Sequence, residues 1–382
     1  RRQAIQSVLQ QGARAGLALT AREILTPLKP IAAETSSPPL TAVIITCDRP
    51  FALNRLLTSI LKNTATDRLD RLIVVDDSRL AANQEQNRAI VEGLQPKSQA
   101  PLVHFGATAA QQYTNRLVQH LPQHTRAIRC LLDRDKWSGY YSAGVARNFS
   151  HILTTGKQVV VFDDDTVCEY WASPNVAEGC EFNAARRQAL FYDRLEDESR
   201  LAMDPSVDAL VQLSSCLGLT VPQALGHLNI KGPPLDSLRH ANADESPLYT
   251  AQSRVLVTEC ASIGDPGTAD DAWLGLLPKE TLQRLTIEPE QVQAALDGSH
   301  CWLGPDKPSF AHAAHMSQMT GFDNRELLPP YMPVERGQDQ IFGEMMRFLH
   351  PGSVALTHPW AIKHLRVDAT GDTGPVSRRT LA

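Results

Sequence analysis

Several features that mark common protein classes are missing from this chain of 382 residues. No apolar run approaches the ~20 residues that a helix needs to cross a bilayer, so we expect no transmembrane segment. A formal net charge of −5 gives no general attraction for nucleic acid or for an anionic membrane. We therefore expect no nucleic-acid partner.

The motifs of the commoner nucleotide and hydrolytic enzymes are missing too. The sequence contains no GxxxxGK followed by Ser or Thr, no GxGxxG after the first predicted strand, and no GxSxG. These absences exclude P-loop enzymes, dinucleotide enzymes with the Rossmann fingerprint, and hydrolases with a nucleophile elbow.

The cysteines are spread widely along the chain. They are seven in number and none forms a CxxC pair, the spacing typical of zinc and redox sites. An odd, dispersed set also does not suggest a disulfide framework. We therefore expect a reducing compartment and a cytoplasmic protein.

What the sequence does contain is an alternation of strand and helix patterns that starts at residue 40. Short apolar runs at 41–46, 71–76 and 158–162 are typical of buried strands, and segments 51–63 and 140–156 have apolar residues at helical spacing. Strand, helix and strand in succession favour parallel pairing with right-handed crossovers. The predicted fold class is α/β, with a mostly parallel, Rossmann-like central sheet flanked by helices.

The chain divides into four segments. Residues 1–39 are predicted as a helical appendage and linker, or equally as an extra helix packed on the main domain. Residues 40–168 form the nucleotide-binding half, 169–300 a variable and largely helical insertion, and 301–382 the acceptor-binding half with a C-terminal tail.

Carboxylates follow the predicted strands where each strand ends. Asp48 follows the first strand, Asp76 and Asp77 end the second, and the run Asp163 to Asp165 ends the strand at 158–162. Ligands of open parallel sheets bind beyond the carboxyl ends of the strands. Because neighbouring carboxylates repel each other at the edge of a core, this cluster predicts a compensating cation, and a divalent metal is the first candidate.

Five segments, in order along the chain, resemble a known family. They are "VIITCDRPFALNRLLTSIL", "LIVVDDS", "AGVARNFSHILTTGKQVVVFDDD", "GFDNREL" and "RGQDQIFGEMM". Together they are similar to nucleotide-sugar glycosyltransferases of the GT-A fold, most like glycosyltransferase family 2. The resemblance covers residues 41–168 and about 320–366, and leaves 169–300 unmatched.

The resemblance implies a hexosyltransferase-type enzyme with a nucleotide diphosphate sugar as donor, a UDP-sugar being favoured, and an acceptor that is a glycan, a lipid-linked molecule or a protein. It also implies a divalent cofactor, Mn²⁺ or Mg²⁺. The DxD motif of the family matches Asp163 and Asp165, with Asp164 between them in the donor site. A third metal ligand is expected at His364, with His358 in reserve.

The resemblance assigns donor binding to residues at the first strand ends and on the helix before the metal strand. Asp77 is expected near the base and ribose, and Asp48 and Arg49 in the same pocket. Arg147 and Asn148 lie one helix before the aspartates, and an arginine there suits bidentate pairing with a phosphate. The alternative for Arg147 is an ordinary salt bridge on a helix surface.

The acidic helix start of the family matches Asp339, with Gln338 in place of the usual first acid. In inverting members this Asp deprotonates the acceptor hydroxyl as a general base. The alternative is a carboxylate favoured by the positive end of the helix dipole.

Acceptor contacts are expected from Trp302, His312, His315 and the "GFD" turn, Gly321 to Asp323. The face of an indole ring stacks on the apolar side of a sugar, although a core tryptophan is an equal alternative.

Three other functions remain open. A retaining glycosyltransferase would not need the base. A metal-dependent phosphohydrolase or nucleotidyltransferase also places aspartates at strand ends, and a non-catalytic glycan-binding relative would keep the fold alone.

Overall fold

Helices and strands alternate through the described residues of the computed structural model, which are 20–32, 39–140, 142–182, 187–191, 201, 203–242, 244–266, 271–287, 292, 295, 301–313, 318–334 and 337–365. The α-helices are α1 (Ala21–Leu25), α2 (Pro50–Asn63), α3 (Ala81–Leu94), α4 (Ala107–His120), α5 (Thr125–Leu132), α6 (Ala143–Leu153), α7 (Ala209–Ser214), α8 (Val221–His227), α9 (Lys279–Ile287) and α10 (Gln338–Leu349). The strands are β1 (Leu40–Thr46), β2 (Leu69–Asp76), β3 (Leu102–Phe105), β4 (Gln158–Asp163), β5 (Thr166–Trp171), β6 (Glu181–Phe182), β7 (Gln188–Phe191), β8 (Arg254–Gly264), β9 (Cys301–Gly304), β10 (Ser309–Ala311), β11 (Met319–Asp323) and β12 (Ser353–His364).

The described strands belong to one 12-stranded sheet whose main path runs β3-β2-β1-β4-β11-β8-β12-β10-β6. The first four strands on this path are parallel to one another. Beyond them β11 is antiparallel to both β4 and β8, while β8 and β12 are parallel. This arrangement confirms the predicted α/β fold with a central sheet flanked by helices.

The strand order reverses direction next to β1. The chain moves outward from β1 through β2 to β3 and then places β4 on the opposite side of β1. In open α/β sheets such a switch point leaves a crevice at the carboxyl ends of the two diverging strands. The fold therefore creates a ligand crevice between the ends of β1 and β4, where the predicted carboxylates lie.

The segment 40–168 has the sequence of a sheet that is covered on both faces. All seven residues of β1 are buried, in agreement with its continuous apolar run. Helix α2 has Pro50 in its first turn and buries Leu53, Leu56, Leu57 and Ile60 against the sheet. Gly156 follows α6 in the left-handed conformation, with φ +83°.

The described part of the N-terminal segment packs on the main body. A capping box between Thr20 and Glu23 starts α1, and Ile24, Leu25 and Leu28 join a buried cluster that also contains residues of α8. For this part of the segment the packing agrees with the alternative of an extra helix on the main domain. The rest of the predicted appendage and linker, residues 1–19 and 33–38, lies outside the described residues.

The prediction that residues 169–300 form an insertion needs correction. This segment supplies β8, an eleven-residue strand that lies between β11 and β12, together with β6 and β7. The hydrophobic pattern of the sequence did not reveal β8, because the strand is buried on both faces and carries Glu259 in its middle. A second correction concerns "GFD", which is the end of β11 and not a turn.

None of the helices in the described part of the chain combines the length and the apolarity needed to cross a membrane.

Candidate donor and metal site

The ends of β1, β2 and β4 meet at one edge of the sheet. Thr46 at the end of β1 is in register with Asp76, and Ile45 is in register with Asp163. Three strands therefore deliver their terminal carboxylates and hydroxyl to one crevice, because parallel neighbours end on the same side. The structure thus brings together the strand-end residues that the sequence pattern singled out.

The three consecutive aspartates face different partners. Asp163 accepts a hydrogen bond from Arg147 at 2.8 Å. Asp164 is fully buried and accepts one from the hydroxyl of Thr46 at 2.6 Å. Asp165 accepts one from Arg49 at 2.7 Å. Because β4 ends at Asp163, the chain turns here and spreads the three carboxylates instead of aligning them.

Arginine side chains supply the positive charge that the aspartates need. The guanidinium of Arg49 bridges two of them, with 2.7 Å from Nη2 to Oδ1 of Asp164 and 2.7 Å from Nη1 to Oδ2 of Asp165. Burial raises the pKa of Asp164 to about 7, although Arg49 acts against this shift. Arg49 was predicted to contact the donor, and in this structure its guanidinium is paired with the carboxylates of Asp164 and Asp165.

His364 lies beside Asp165 at the end of β12. Its Nε2 atom is 3.3 Å from Oδ1 of Asp165, and its Nδ1 atom is 2.6 Å from the carbonyl oxygen of Asp265. Burial alone would lower the pKa of His364, but the Asp165 carboxylate raises it to about 9. Burial likewise opposes ionisation of Asp165, whereas His364 and Arg49 hold the pKa of that carboxyl well below its usual range.

The residues present fit a divalent cation in their chemistry. Carboxylate oxygens and an imidazole nitrogen are suitable ligands, and the carbonyl of Asp265 orients the His364 ring in the manner of an outer-shell partner. In the described part of the chain, however, no three His, Cys, Asp or Glu side chains are grouped as a metal site. Asp165 and His364 meet, whereas the third predicted ligand, Asp163, is turned toward Arg147.

Arg147 connects the aspartates to the start of α10. Its Nη2 bonds Asp163 at 2.8 Å, and its Nε atom is 3.6 Å from Oδ1 of Asp339. The guanidinium carbon lies 5.6 Å from the centroid of the Tyr331 ring. The predicted base is therefore close to the predicted metal site, with one arginine between them.

The prediction that Asn148 binds the donor requires correction. Asn148 is 3% exposed, and its amide donates to the carbonyl oxygens of Leu131 and Tyr331 at 3.1 and 3.0 Å. Its Oδ1 accepts the N–H of Tyr331 at 2.7 Å. Both ends of the amide are used by the backbone, so Asn148 holds the segment before α10 against α6.

Asp48 ties the loop after β1 to the loop after β2. It adopts φ 55°, and its carboxylate accepts the N–H groups of Arg79 and Leu80 and the side-chain amide of Asn83. These bonds use the side chain for local structure at the crevice wall. Asp48 thus fixes the two loops at this crevice relative to each other.

Asp77 lies on a cavity of ≈ 370 Å³ between the end of β2 and helices α4, α5 and α6. Its Oδ1 atom is 3.2 Å from Arg134, and burial raises the pKa of Asp77 against the effect of that arginine. The cavity wall combines aromatic and charged side chains, including Phe105, Phe149 and Arg134. A heterocyclic ring and polar edge groups can both be accommodated by such a lining.

The predicted acceptor residues do not assemble at this site. Trp302 is 1% exposed inside the sheet core on β9, so its ring presents no face to a sugar. Asp323 is fully buried and paired with Arg325. Asp323 is in register with Gln158 at the start of β4, whereas Asp163 ends that strand. At ~3.3 Å per residue the two ends of β4 are roughly 16 Å apart. His315 lies outside the described residues.

The reserve ligand His358 is also buried away from the cluster. It packs on Trp360, and burial lowers its pKa to about 3. His364 is thus the histidine that meets the aspartates.

Sequence reasoning missed Thr46, Arg134 and Tyr331. Thr46 stands at the end of the first strand, so its position relative to Asp164 follows once the strand order is known. Arg134 and Tyr331 are far from the aspartates in sequence and carry no local pattern that places them.

No family model and no curated protein matches the sequence. Among solved structures, the chain is similar to S. aureus TarS, with 17% identity, 34% of this chain and 17% of that chain covered, and a TM-score of 0.22. It is similar to the bifunctional glycosyltransferase WbbM, with 18% identity, 36% and 20% covered, and a TM-score of 0.22. It is also similar to glucosyl-3-phosphoglycerate synthase from Mycobacterium tuberculosis, crystallised with Mn²⁺, UDP and phosphoglyceric acid, with 13% identity, 91% and 75% covered, and a TM-score of 0.35.

The chain spans about a fifth or less of the length of the first two of these structures, 17% and 20% respectively.

Proposed function

We propose that this chain is a metal-dependent glycosyltransferase that moves a sugar from a nucleotide diphosphate sugar, with a UDP-sugar favoured, to an acceptor hydroxyl. The observation that carries the proposal is the contact of Asp165 with His364 at the switch point of the sheet, next to Asp163 at the end of β4 and beside Asp77 and its cavity. The family resemblance of the same segments supports it. Nucleotide diphosphate sugars need a cation site and a base pocket close together, and the proximity of the aspartates to the cavity beside Asp77 supports such an arrangement.

Asp163, Asp165 and His364 are the residues that would hold Mn²⁺ or Mg²⁺. The ion, when bound, neutralises negative charge that builds on the leaving diphosphate. Arg49 adds a planar guanidinium at the same edge, and such a group pairs with phosphate oxygens as readily as with carboxylates. Asp165 and His364 are already within 3.3 Å of each other, so little rearrangement of this pair is needed.

Asp77 and the adjoining cavity form the proposed nucleoside site. A carboxylate accepts the N–H edge of a base, while Phe105 and Phe149 supply apolar walls. Arg134 and Ser142 hold the carboxylate in place at 3.2 and 3.4 Å. Such a pre-positioned carboxylate selects bases that carry an N–H group on that edge.

Asp339 is the proposed general base of a direct displacement with inversion. Its carboxylate takes the proton of the acceptor hydroxyl while the acceptor oxygen bonds to the anomeric carbon and the bond to the diphosphate breaks. The position of Asp339 at the start of α10, near Asp163 but separated from it by Arg147, supports this role.

The test is a thermal-shift panel of nucleotide diphosphate sugars with and without Mn²⁺. A ligand that binds only the folded state raises the melting temperature, by an amount corresponding to about 2.7 kcal/mol at 100 times its Kd. We expect a rise that needs both Mn²⁺ and a nucleotide sugar, and that is lost in Asp165→Asn. Asp67→Asn, at an exposed site away from the crevice, is the matched control.

Product analysis separates the remaining functions. Release of nucleoside diphosphate with a glycosylated acceptor supports the proposal. Release of phosphate or pyrophosphate would instead assign a phosphohydrolase or nucleotidyltransferase, and absence of any response in the thermal panel would contradict donor binding altogether.

A further inference from the structure

Arg147 occupies a buried position between two carboxylates that belong to different parts of the proposed reaction. Its side chain is 10% exposed, and it contacts Asp163 of the proposed metal site and Asp339, the proposed base. The two contacts are unequal. The 2.8 Å contact to Asp163 is a hydrogen bond, whereas the 3.6 Å contact to Asp339 exceeds the usual N–H···O range.

The surroundings of Arg147 restrict where its guanidinium can go. The Tyr331 ring lies beside the guanidinium, and Asn148 fixes the Tyr331 backbone with two hydrogen bonds. Tyr331 in turn stacks on Phe342 of α10 with 4.3 Å between ring centroids and 7° between planes. The guanidinium is thereby held between the two carboxylates, and a shift of roughly 0.5 Å would turn the longer contact into a hydrogen bond.

In this geometry Arg147 competes with any cation that would use Asp163 as a ligand. A carboxylate that is bonded to a guanidinium has part of its charge neutralised and one oxygen occupied. Asp163 is the predicted ligand that fails to join Asp165 and His364, and its partner is Arg147. The proposed metal site and the Arg147 side chain thus share one carboxylate.

We propose that Arg147 is a positioning residue that competes with the divalent cation for Asp163 and, when that carboxylate is taken, pairs with Asp339 and holds it in place. The inference rests on the proposed function. It replaces the phosphate contact expected for Arg147 with an internal role. Loading of the donor side is then coupled to placement of the base on the acceptor side through a single guanidinium.

Thermodynamic linkage predicts the direction in which cation affinity changes when Arg147 is removed. A purely structural residue would not produce a change in that direction. If Arg147 competes for Asp163, removing it must tighten cation binding, because competition is reciprocal. If Arg147 only supports the fold, removing it must weaken cation binding or leave it unchanged. Loss of its positive charge alone would tighten binding in Arg147→Gln but not in Arg147→Lys, which keeps the charge. The change in both variants together therefore distinguishes the roles.

The first measurement is Mn²⁺ affinity of the full chain without donor, from the electron paramagnetic resonance signal of free Mn²⁺. We expect Arg147→Gln to bind Mn²⁺ at least roughly fivefold more tightly than wild type, and Arg147→Lys to fall between them. Arg325→Gln is the matched control, since it removes an arginine paired with Asp323 at the opposite edge of the sheet and leaves Mn²⁺ affinity at the wild-type value. Equal or weaker Mn²⁺ binding by both folded Arg147 variants would overturn the inference.

The second measurement is the division of the kinetic effect between kcat and KM. We expect Arg147→Gln to lower kcat with little change in the KM of the donor, and Arg147→Gln with Asp339→Asn to be no slower than Asp339→Asn alone. A raised donor KM with unchanged kcat would assign Arg147 to phosphate binding and overturn the inference.

The two proposals fail separately. If wild type binds no Mn²⁺ even with UDP present, the metal-dependent function is contradicted. If wild type binds Mn²⁺ and transfers sugar while Arg147→Gln does not tighten Mn²⁺, only the role of Arg147 is contradicted.

Discussion

Gly144 lies directly under the backbone carbonyl of Met332, so that a Cβ atom at position 144 would be 1.8 Å from that oxygen. Helix α6 therefore approaches the segment before α10 more closely than any side chain allows. Asn148, one turn later on the same helix, binds the backbone of Tyr331 in this segment. The helix that precedes the aspartates is thus locked to the segment that leads to Asp339.

Gly144→Ala is expected to separate these two segments. Because the clash is with backbone and cannot be relieved by a rotamer change, we expect a loss of about 1–3 kcal/mol in the free energy of unfolding. We also expect a fall in the transfer rate. Urea denaturation and initial rates measure both effects.

Gly93→Ala in α3 is the matched control for this substitution. No atom lies within 4 Å of a Cβ at that position, so alanine there should stabilise the helix by about 0.5–1 kcal/mol without affecting transfer. An unchanged rate and stability in Gly144→Ala would show that the contact has no role in placing the base.

Asp339→Asn tests the base. A general base contributes roughly 10²- to 10⁴-fold to a rate, so we expect a loss of that size in kcat. Measurement of nucleoside diphosphate release at saturating donor and acceptor gives the answer. A variant that keeps nearly the full rate would favour the retaining alternative, which needs no base at this position.

Acid stability should depend on His151, which is buried among Phe322, Tyr331 and Phe342. Burial, with a further contribution from Arg147, lowers the pKa of His151 from 6.5 to about 3. Between these values the unfolded chain binds a proton at this histidine that the folded chain does not, so the contribution of His151 to stability falls as pH falls below 6.5, by about 1.4 kcal/mol per pH unit.

His151→Phe retains an aromatic ring in this cluster and removes the titration. We expect a flatter loss of stability on the acid side, measured as the free energy of unfolding in urea at several pH values between about 7 and 5. His124→Gln, at an exposed site, should keep the wild-type slope. An identical slope in wild type and His151→Phe would contradict the assignment.

Trp302→Phe tests whether this residue is a core side chain. Its ring is buried beside Ala261 and Ile263, so we expect a loss of about 2 kcal/mol in stability from the smaller ring. The acceptor KM of the folded fraction should stay at the wild-type value. A raised acceptor KM with unchanged stability would instead support sugar stacking.

The sequence was sufficient to predict the parallel half of the sheet and the edge at which the carboxylates meet. Strand ends such as Asp77 and Asp163 are readable because parallel strands finish on one side. His364 lies 3.3 Å from Asp165, at the end of the last core strand where the resemblance implies a third metal ligand, and its role as a ligand stays a prediction.

The pairing of the aspartates with arginines was not predictable. Which carboxylate Arg49 or Arg147 contacts depends on the turn after β4 and on side-chain packing, and neither has a sequence signature. Trp302 and Asp323 were assigned to acceptor binding from their residue types alone. Both side chains are buried in the sheet, so neither can make the expected contact. The assignment of Asn148 failed for a related reason, because its backbone partner Tyr331 is 183 residues away.

The place of β8 between β11 and β12 has a consequence for engineering. The stretch that differs from the recognisable family segments is also the middle of the scaffold, so cutting it out at residues 169 and 300 would leave two neighbouring strands without their hydrogen-bonded partner. Exchange of this whole stretch would therefore also exchange a central strand of the sheet. Exchange of individual loops that leaves β8 intact is the compatible route.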